Sequence, residues 1–120
     1  MTTEEKILDA SNFIFLQYGY HGTRIQKIAK MADVNKSMVH YYFRSKDNLY
    51  RLAIRYAVDQ ILRLNAADKA VKENVVNSSW FITTELYNNK VVFLQIVEKL
   101  YSRDFPGIMI KLAAFSNNFI

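Results

Sequence analysis

The sequence predicts an all-α protein. Its 120 residues include one proline and three glycines, which leaves little material for turns or strands. Four apolar residues in the N-terminal third recur at helical spacing: Ile25, Ile28, Ala29 and Ala32. Residue types that favour helix N-caps stand before the predicted helices: Thr2 or Thr3, Thr23, Asn35 and Ser45.

The pattern divides the chain into a head of three helices, residues 1–46, and a helical body, residues 47–120. Gly19 is predicted to end the first helix as a left-handed cap. The body is predicted to begin with a long helix from Asp47 to about Leu64. Three further helices are predicted: from Ala70 to about Tyr87, from about Val91 to Tyr101, and from Pro106 onward.

The segment from Thr23 to Lys46 is typical of a helix-turn-helix. Thr23 and Gln26 have the spacing of a capping box, and residues 33–35 interrupt the first apolar stripe. Val39 and Phe43 are four residues apart, so they share one face and are expected to be buried. This register turns four side chains outward on the second helix: Ser37, Met38, His40 and Tyr41.

The charge of the chain is concentrated in the same segment. Between residues 20 and 46 there are six Lys or Arg side chains and one carboxylate, Asp33, whereas the whole chain has a formal charge of +5. A charge run alone indicates a solvated face. A basic segment that coincides with a helix-turn-helix instead indicates contact with DNA.

The head resembles the DNA-binding domain of the TetR/AcrR family of tetracycline-repressor-like bacterial regulators. The matching positions run without a gap from Ile7 to about Leu52 and include Gly19-Tyr20, Thr23, Ile28-Ala29, Ala32, Val34, Lys36, Tyr41, Phe43, Ser45-Lys46 and Leu49. Asp33 and Ser37 replace glycines that are common in the family, and His40 and Tyr42 invert its usual Tyr-Tyr-His order. The resemblance implies an operator-binding regulator with an effector-controlled C-terminal domain.

Phosphate contacts are predicted at the starts of helices. Lys46 stands beside a helix N-terminus, where ammonium and backbone N–H groups together favour an anion. Thr23 and Arg24 occupy a similar place one helix earlier, and Lys36 could reach a phosphate or a base edge. For Lys36 the bland alternative is a solvated lysine.

Base contacts are predicted on the second helix of the motif. His40 and Tyr41 are expected to face DNA, and His40 could be neutral against a base or cationic against a phosphate. Tyr42 could donate to a phosphate or be partly buried, and Gln26 could touch a base or complete the cap. The full predicted set is Thr23, Arg24, Gln26, Lys36, Ser37, Met38, His40, Tyr41, Tyr42 and Lys46.

Composition argues against several other classes. The absence of cysteine excludes disulfides and thiolate chemistry and favours a reducing cytoplasmic setting. Apolar runs such as residues 91–94 are far shorter than the roughly 20 residues that span a bilayer. The two histidines have no second ligand at metal spacing, and Ser37 and His40 have no orienting acid. No enzyme activity, metal or cofactor is predicted.

The body is expected to dimerise and to hold any effector. Its last predicted helix contains five apolar residues that so short a body is not expected to cover all at once: Ile108, Ile110, Leu112, Phe115 and Phe119. The resemblance implies a longer C-terminal domain than the one present here. A small apolar or aromatic effector would meet walls and polar groups from Trp80, Phe81, Glu85, Leu86, Phe93, Gln95 and Tyr101.

The function predicted first is a sequence-specific transcriptional regulator, a repressor that binds a palindromic operator as a homodimer and is released by an effector. The alternative is a truncated relative that pairs with a full-length partner as an interaction module. A weaker third reading is a helix-turn-helix domain in a DNA protein outside transcription. Salt-dependent binding to a specific duplex separates the first from the second.

Overall fold

The computed structural model describes the backbone of residues 1–63 and 73–117, with side chains over 1–63 and 77–114. Within these ranges all regular secondary structure is helical, which confirms the all-α prediction. The helices are α1 (Thr3–Gly22), α2 (Ile25–Ala32), α3 (Lys36–Phe43), α4 (Lys46–Leu62), α5 (Glu73–Asn88), α6 (Lys90–Leu100) and α7 (Phe105–Asn117). The predicted helix ends at Leu64 and Ala70 lie outside the described residues.

The chain forms two compact units, Met1–Ile54 and Arg55–Ile120. From here on, the head is the first unit and the body is the second. The head runs past the boundary predicted after residue 46 and includes the first half of α4. The reason is packing, because Leu49, Tyr50 and Ala53 of α4 are buried. The Tyr50 ring lies edge-on to the ring of Phe15 in α1, with centroids 5.1 Å apart.

Helix α1 begins with the predicted cap at Thr2, where a capping box joins Thr2 and Glu5. Gly19 interrupts α1 with a positive φ, as predicted, but helix resumes after this kink and runs to Gly22. Gly19 has φ 73° and ψ 173°, a region of backbone space that is almost confined to glycine. The bend therefore requires glycine at this position.

The predicted capping box at Thr23 is wrong. Helix α2 begins one residue later than that motif requires, with Arg24 as its N-cap and no capping side-chain bond. Thr23 is 2% exposed. Its hydroxyl donates to the Gly19 carbonyl at 2.6 Å, so the side chain fastens the bend in α1.

The turn between α2 and α3 explains one departure from the family pattern. Asp33 has φ 57° and ψ 48°, the left-handed conformation that glycine adopts most readily and that Asp and Asn tolerate. Asn35 then stands at the predicted N-cap of α3 with extended backbone, although its side chain makes no capping hydrogen bond. The turn geometry is thus kept without the usual glycine.

The body has its own apolar core, formed by Phe81 and Ile82 of α5, Phe93 and Val97 of α6, and Ile108 and Leu112 of α7. The Tyr101 hydroxyl, just after α6, donates to the Asp59 carboxylate on α4 at 2.6 Å. Burial raises the pKa of the Tyr101 phenol well above its usual range, and the hydrogen bond to Asp59 raises it further. The phenol therefore stays protonated and serves as a donor.

Over the described ranges, no helix has the length and apolar character needed to cross a membrane.

Candidate nucleic-acid interface

Helix α3 divides into a buried and an exposed side, as its apolar spacing predicts. Val39 and Phe43 are buried in the head, where α3 packs against α2. The opposite side carries the exposed residues Lys36, Ser37, Met38, His40 and Tyr41. A short helix that is fixed on one side and polar and aromatic on the other has the form of a DNA recognition helix.

The exposed side of α3 has two distinct stripes. Lys36 and His40 are one helical turn apart and share a stripe, and Ser37 and Tyr41 form the neighbouring one. Tyr41 is 68% exposed and lies edge-on to Tyr42, with ring centroids 5.2 Å apart. Tyr42 is 37% exposed. Its side chain is therefore partly buried on the flank of α3, and a part of it stays accessible.

The Lys36 stripe opens into a small hollow, here called the basic hollow. It has a volume of about 110 Å³ and is lined by Ile25, Lys36, Val39, His40, Arg44, Ser45 and Lys46. Three permanent cations and a histidine therefore surround a space of roughly the size of one anionic group. The arrangement favours a phosphate oxygen in the hollow.

Arg44 enters the hollow through a strained turn, and sequence reasoning missed it as a site residue. Arg44 has φ 72° and ψ −45°, and the Ser45 N–H donates to the Phe43 carbonyl at 2.8 Å. These values describe a γ-turn of the rare, strained form. The Asn48 amide donates to the same Phe43 carbonyl at 2.8 Å and thus fastens the turn.

A signal for Arg44 existed in the spacing, because Lys36, His40 and Arg44 follow one another at intervals of four. Helix α3 ends at Phe43, however, so helical periodicity alone does not place Arg44. Backbone strain of this kind collects at functional sites, where surrounding contacts can hold it.

Lys46 stands where a phosphate-binding lysine was predicted, at the first residue of α4. Ser45 caps this helix, since its hydroxyl accepts from the Asn48 N–H at 3.1 Å. The Lys46 ammonium lies 4.5 Å from the centroid of the Tyr20 ring. Tyr20 is a second residue that sequence reasoning did not connect with the site.

The remaining predicted contacts divide between surface and interior. Arg24 and Gln26 at the start of α2 are exposed. Thr23, by contrast, is buried with its hydroxyl bonded to Gly19, so the predicted phosphate contact through this side chain is wrong. Helix α2 carries a further fixed cation, because the Lys27 ammonium lies 3.8 Å from the centroid of the Tyr18 ring.

The predicted effector residues do not converge on one space. Trp80 is 47% exposed and Gln95 is exposed, whereas Phe81 and Phe93 are wholly buried in the core of the body. Glu85 is buried and accepts from the Asn89 amide at 3.1 Å. The two remaining members, Leu86 and Tyr101, are half-buried.

A different hollow exists in the body. It has a volume of about 330 Å³ and is lined by Leu100, Tyr101, Ser102, Arg103, Asp104 and Ile108. It shares Tyr101 with the predicted set. The prediction from apolar residues on α5 and α6 therefore missed the turn between α6 and α7.

The fold of the head and the exposed side of α3 have the form of a helix-turn-helix DNA-binding domain. A sequence model of the family described as "Bacterial regulatory proteins, tetR family" matches residues 7–53. The N-terminal region of the chain is thus similar to the DNA-binding region of this family, as the resemblance predicted.

Two relatives show how far the similarity extends. The HTH-type transcriptional regulator RutR of Escherichia coli K12 is 43% identical over 56 residues, which cover 47% of this chain and 26% of RutR. IcaR of Staphylococcus aureus strain Newman, a negative regulator of the biofilm operon icaADBC, is 25% identical over 115 residues. That match covers 96% of this chain and 58% of IcaR.

A solved structure shows the same fold. A Rhodococcus protein described as a TetR-family transcriptional regulator superposes with a TM-score of 0.58 at 19% identity. The alignment covers 97% of this chain and 64% of that protein. The chain thus spans about a quarter of RutR and somewhat over half of IcaR.

Proposed function

We propose that this chain is a sequence-specific DNA-binding transcriptional regulator that inserts α3 into the major groove. The observation that carries the proposal is the exposed face of α3 beside the basic hollow, on a helix held by Val39 and Phe43. The relationship with IcaR, a negative regulator, supports repression as the direction of control.

The two stripes of α3 have different tasks in this proposal. Lys36, His40, Arg44 and Lys46 share the basic hollow and hold the DNA backbone, because clustered cations suit phosphate. Ser37 and Tyr41 lie on the neighbouring stripe and read base edges. This proposal assigns His40 to the phosphate contacts, which is the second of the two roles that its sequence position allowed.

Lys46→Ala is expected to weaken binding to specific and random duplexes by the same factor, because a phosphate contact has no base information. The slope of log affinity against log salt should become shallower by about 0.9, the value for one phosphate contact. Fluorescence anisotropy on both duplexes over a range of salt measures this. Lys90→Ala in the body makes the same charge change and should leave the slope unaltered; equal slopes for all three proteins would remove Lys46 from the site.

Arg44→Gly is expected to change stability and DNA binding in opposite directions. Glycine accepts φ 72° without strain, so the free energy of unfolding should rise by about 1 kcal/mol or more. Loss of the guanidinium should weaken binding to every duplex. Urea unfolding and anisotropy on the same preparation test this, with Arg44→Lys as the variant that keeps charge and strain; a glycine variant with unchanged affinity would exclude Arg44 from the interface.

Dimerisation is proposed through the exposed side of the last helix, α7. Ile108 and Leu112 are buried within their own unit, so these two side chains need no partner to cover them. Ile110 is exposed, while Phe115 and Phe119 lie outside the described side chains. A palindromic operator still requires two heads, because one α3 covers few base pairs.

Ile110→Lys is expected to lower the dimer fraction, since a charge replaces an exposed apolar side chain at the proposed contact. Sedimentation velocity at tens of micromolar measures the fraction. Lys111→Ala, on the adjacent exposed position, is the control that removes a charge instead. A wild-type chain that sediments as a single monomeric species would contradict the proposal.

Effector control is also proposed, now at the hollow between α6 and α7. Its volume of about 330 Å³ reaches the lower range of small-molecule sites, and Arg103 and Asp104 supply polar groups beside Leu100 and Ile108. Apolar and aromatic compounds that carry a polar group are the first candidates. A concentration-dependent rise in melting temperature together with loss of DNA binding would support this site.

A further inference from the structure

Tyr20 contacts both the aromatic residues of the head and the first residues of α4. Its ring is nearly parallel to the Phe15 ring, with centroids 6.2 Å apart, and edge-on to the Tyr50 ring at 5.0 Å. Tyr20 is also edge-on to the ring of His21, with centroids 5.2 Å apart, and it contacts the start of α4. The Lys46 ammonium lies 4.5 Å from the ring centroid, and the Tyr20 hydroxyl donates to the Asp47 carboxylate.

The backbone directs Tyr20 to this place. Gly19 bends α1 immediately before Tyr20, with a φ of 73°. The Thr23 hydroxyl fastens the bend through its bond of 2.6 Å to the Gly19 carbonyl. Phe15 and Tyr50 then hold the ring from within the head. The ring can therefore support the Lys46 ammonium that contacts it.

Lys46 benefits from such a support. Lysine has a flexible stem, and the loss of its rotamer freedom opposes every contact that its ammonium makes. A cation above an aromatic ring is attracted by the electrons of the ring face. Lys46 also lines the basic hollow. The Tyr20 ring therefore restricts the lysine side chain before DNA binds, which lowers the entropy cost of the phosphate contact.

Asp47 presents the opposite problem. Asp47 is adjacent in sequence to Lys46, which lines the basic hollow, and a free carboxylate there would compete with phosphate for cations. The hydrogen bond from the Tyr20 hydroxyl gives this carboxylate another partner. Tyr20 therefore contacts both the Lys46 ammonium, which would attract phosphate, and the Asp47 carboxylate, which would compete with phosphate for that cation.

We propose that Tyr20 is a positioning residue of the DNA site: its ring sets the Lys46 ammonium at the basic hollow, and its hydroxyl occupies the Asp47 carboxylate. The inference rests on the proposed DNA-binding function. Tyr20 itself acts through Lys46 and Asp47 in this arrangement, and a role in core packing alone would affect folding without affecting phosphate contacts.

The hydroxyl is tested by a cycle of conservative variants in the full chain. Tyr20→Phe keeps the ring and releases Asp47, so affinity for a random duplex should fall by about twofold to fivefold, the size of an exposed ion pair. In an Asp47→Asn background the same change should have no effect, because no carboxylate remains to compete. An equal loss in both backgrounds would overturn the role of the hydroxyl.

The ring is tested by Tyr20→Leu, alone and combined with Lys46→Ala. The single variant should bind all duplexes more weakly, with a salt slope shallower by up to about 0.9 as Lys46 loses its place. Combined with Lys46→Ala in the Asp47→Asn background, where the hydroxyl has no carboxylate to occupy, it should cause no further loss, whereas additive losses would overturn the inference. Thermal melting shows which variants are folded, and if the leucine variant is unfolded, the Tyr20→Phe cycle decides.

The proposed function and this inference fail in different ways. If the wild-type chain shows no salt-dependent binding to any duplex, the DNA-binding function itself is wrong. If the wild-type chain binds and Lys46→Ala changes the slope, but neither Tyr20 variant couples to its partner, the positioning role alone is wrong.

Discussion

Replacement of Phe43 by alanine is expected to lower the free energy of unfolding by about 3–5 kcal/mol, the usual effect of removing a buried aromatic ring. Phe43 is 3% exposed and lies in the last turn of α3, where the helix packs into the head. A loss of this size is a large part of the total stability of a small domain, so much of the population should be unfolded at moderate temperature.

Urea unfolding followed by circular dichroism measures the effect of Phe43→Ala. The control is Tyr41→Ala, two residues away on the same helix, which removes a ring that is 68% exposed and should change stability by about 0.5 kcal/mol or less. Similar losses for the two variants would contradict the assignment of the buried and exposed sides of α3.

Tyr41→Ala is expected to have its large effect on recognition instead. Loss of a base contact should lower affinity for the preferred duplex by about 1–3 kcal/mol and leave affinity for random DNA nearly unchanged. His40→Ala should weaken both duplexes alike, because His40 shares the basic hollow with Lys36, Arg44 and Lys46. Competition binding with matched specific and random duplexes gives both ratios.

The two variants, Tyr41→Ala and His40→Ala, test whether the two stripes of α3 have different roles in DNA binding. Equal loss on specific and random DNA for Tyr41→Ala would remove the base-reading role from the Ser37 stripe. A change of sequence preference for His40→Ala would return His40 to the base contacts.

The sequence predicts those parts of the fold that depend on periodicity. The four-residue spacing of Val39 and Phe43 predicts which side of α3 is buried, and the structure confirms it. The cap at Thr2 is also confirmed, because Thr2 and Glu5 are local neighbours whose spacing defines a capping box. Local rules suffice where the interacting groups lie within one helical turn.

The sequence does not predict the role of a side chain where that role depends on contacts with residues outside its own helical turn. Thr23 has the sequence of an N-cap, but the bend at Gly19 brings the Gly19 carbonyl to its hydroxyl and the side chain turns inward. Arg44 reads as one more surface cation, since nothing in its neighbours announces a γ-turn. Tyr20 and Lys46 are far apart in sequence, so their contact appears once α1 and α4 are packed together.

The effector prediction shows a different limit. Aromatic residues on α5 and α6 suggest pocket walls from their sequence alone, but apolar residues on a helix are more often buried in the core than available to a ligand. Phe81 and Phe93 accordingly fill the core of the body. The hollow that the structure contains is lined partly by polar residues in a turn, which no periodic pattern identifies.

The central claim is that α3 reads a DNA sequence, and selection from a library of random duplexes by the purified full chain tests it most directly. The account predicts that one sequence motif is enriched and bound at least about 10³-fold more tightly than random DNA at physiological salt. Tyr41→Ala should reduce that preference by about 1–3 kcal/mol while it keeps salt-dependent binding. Selection without any enriched motif, with equal affinity for all duplexes, would contradict the account.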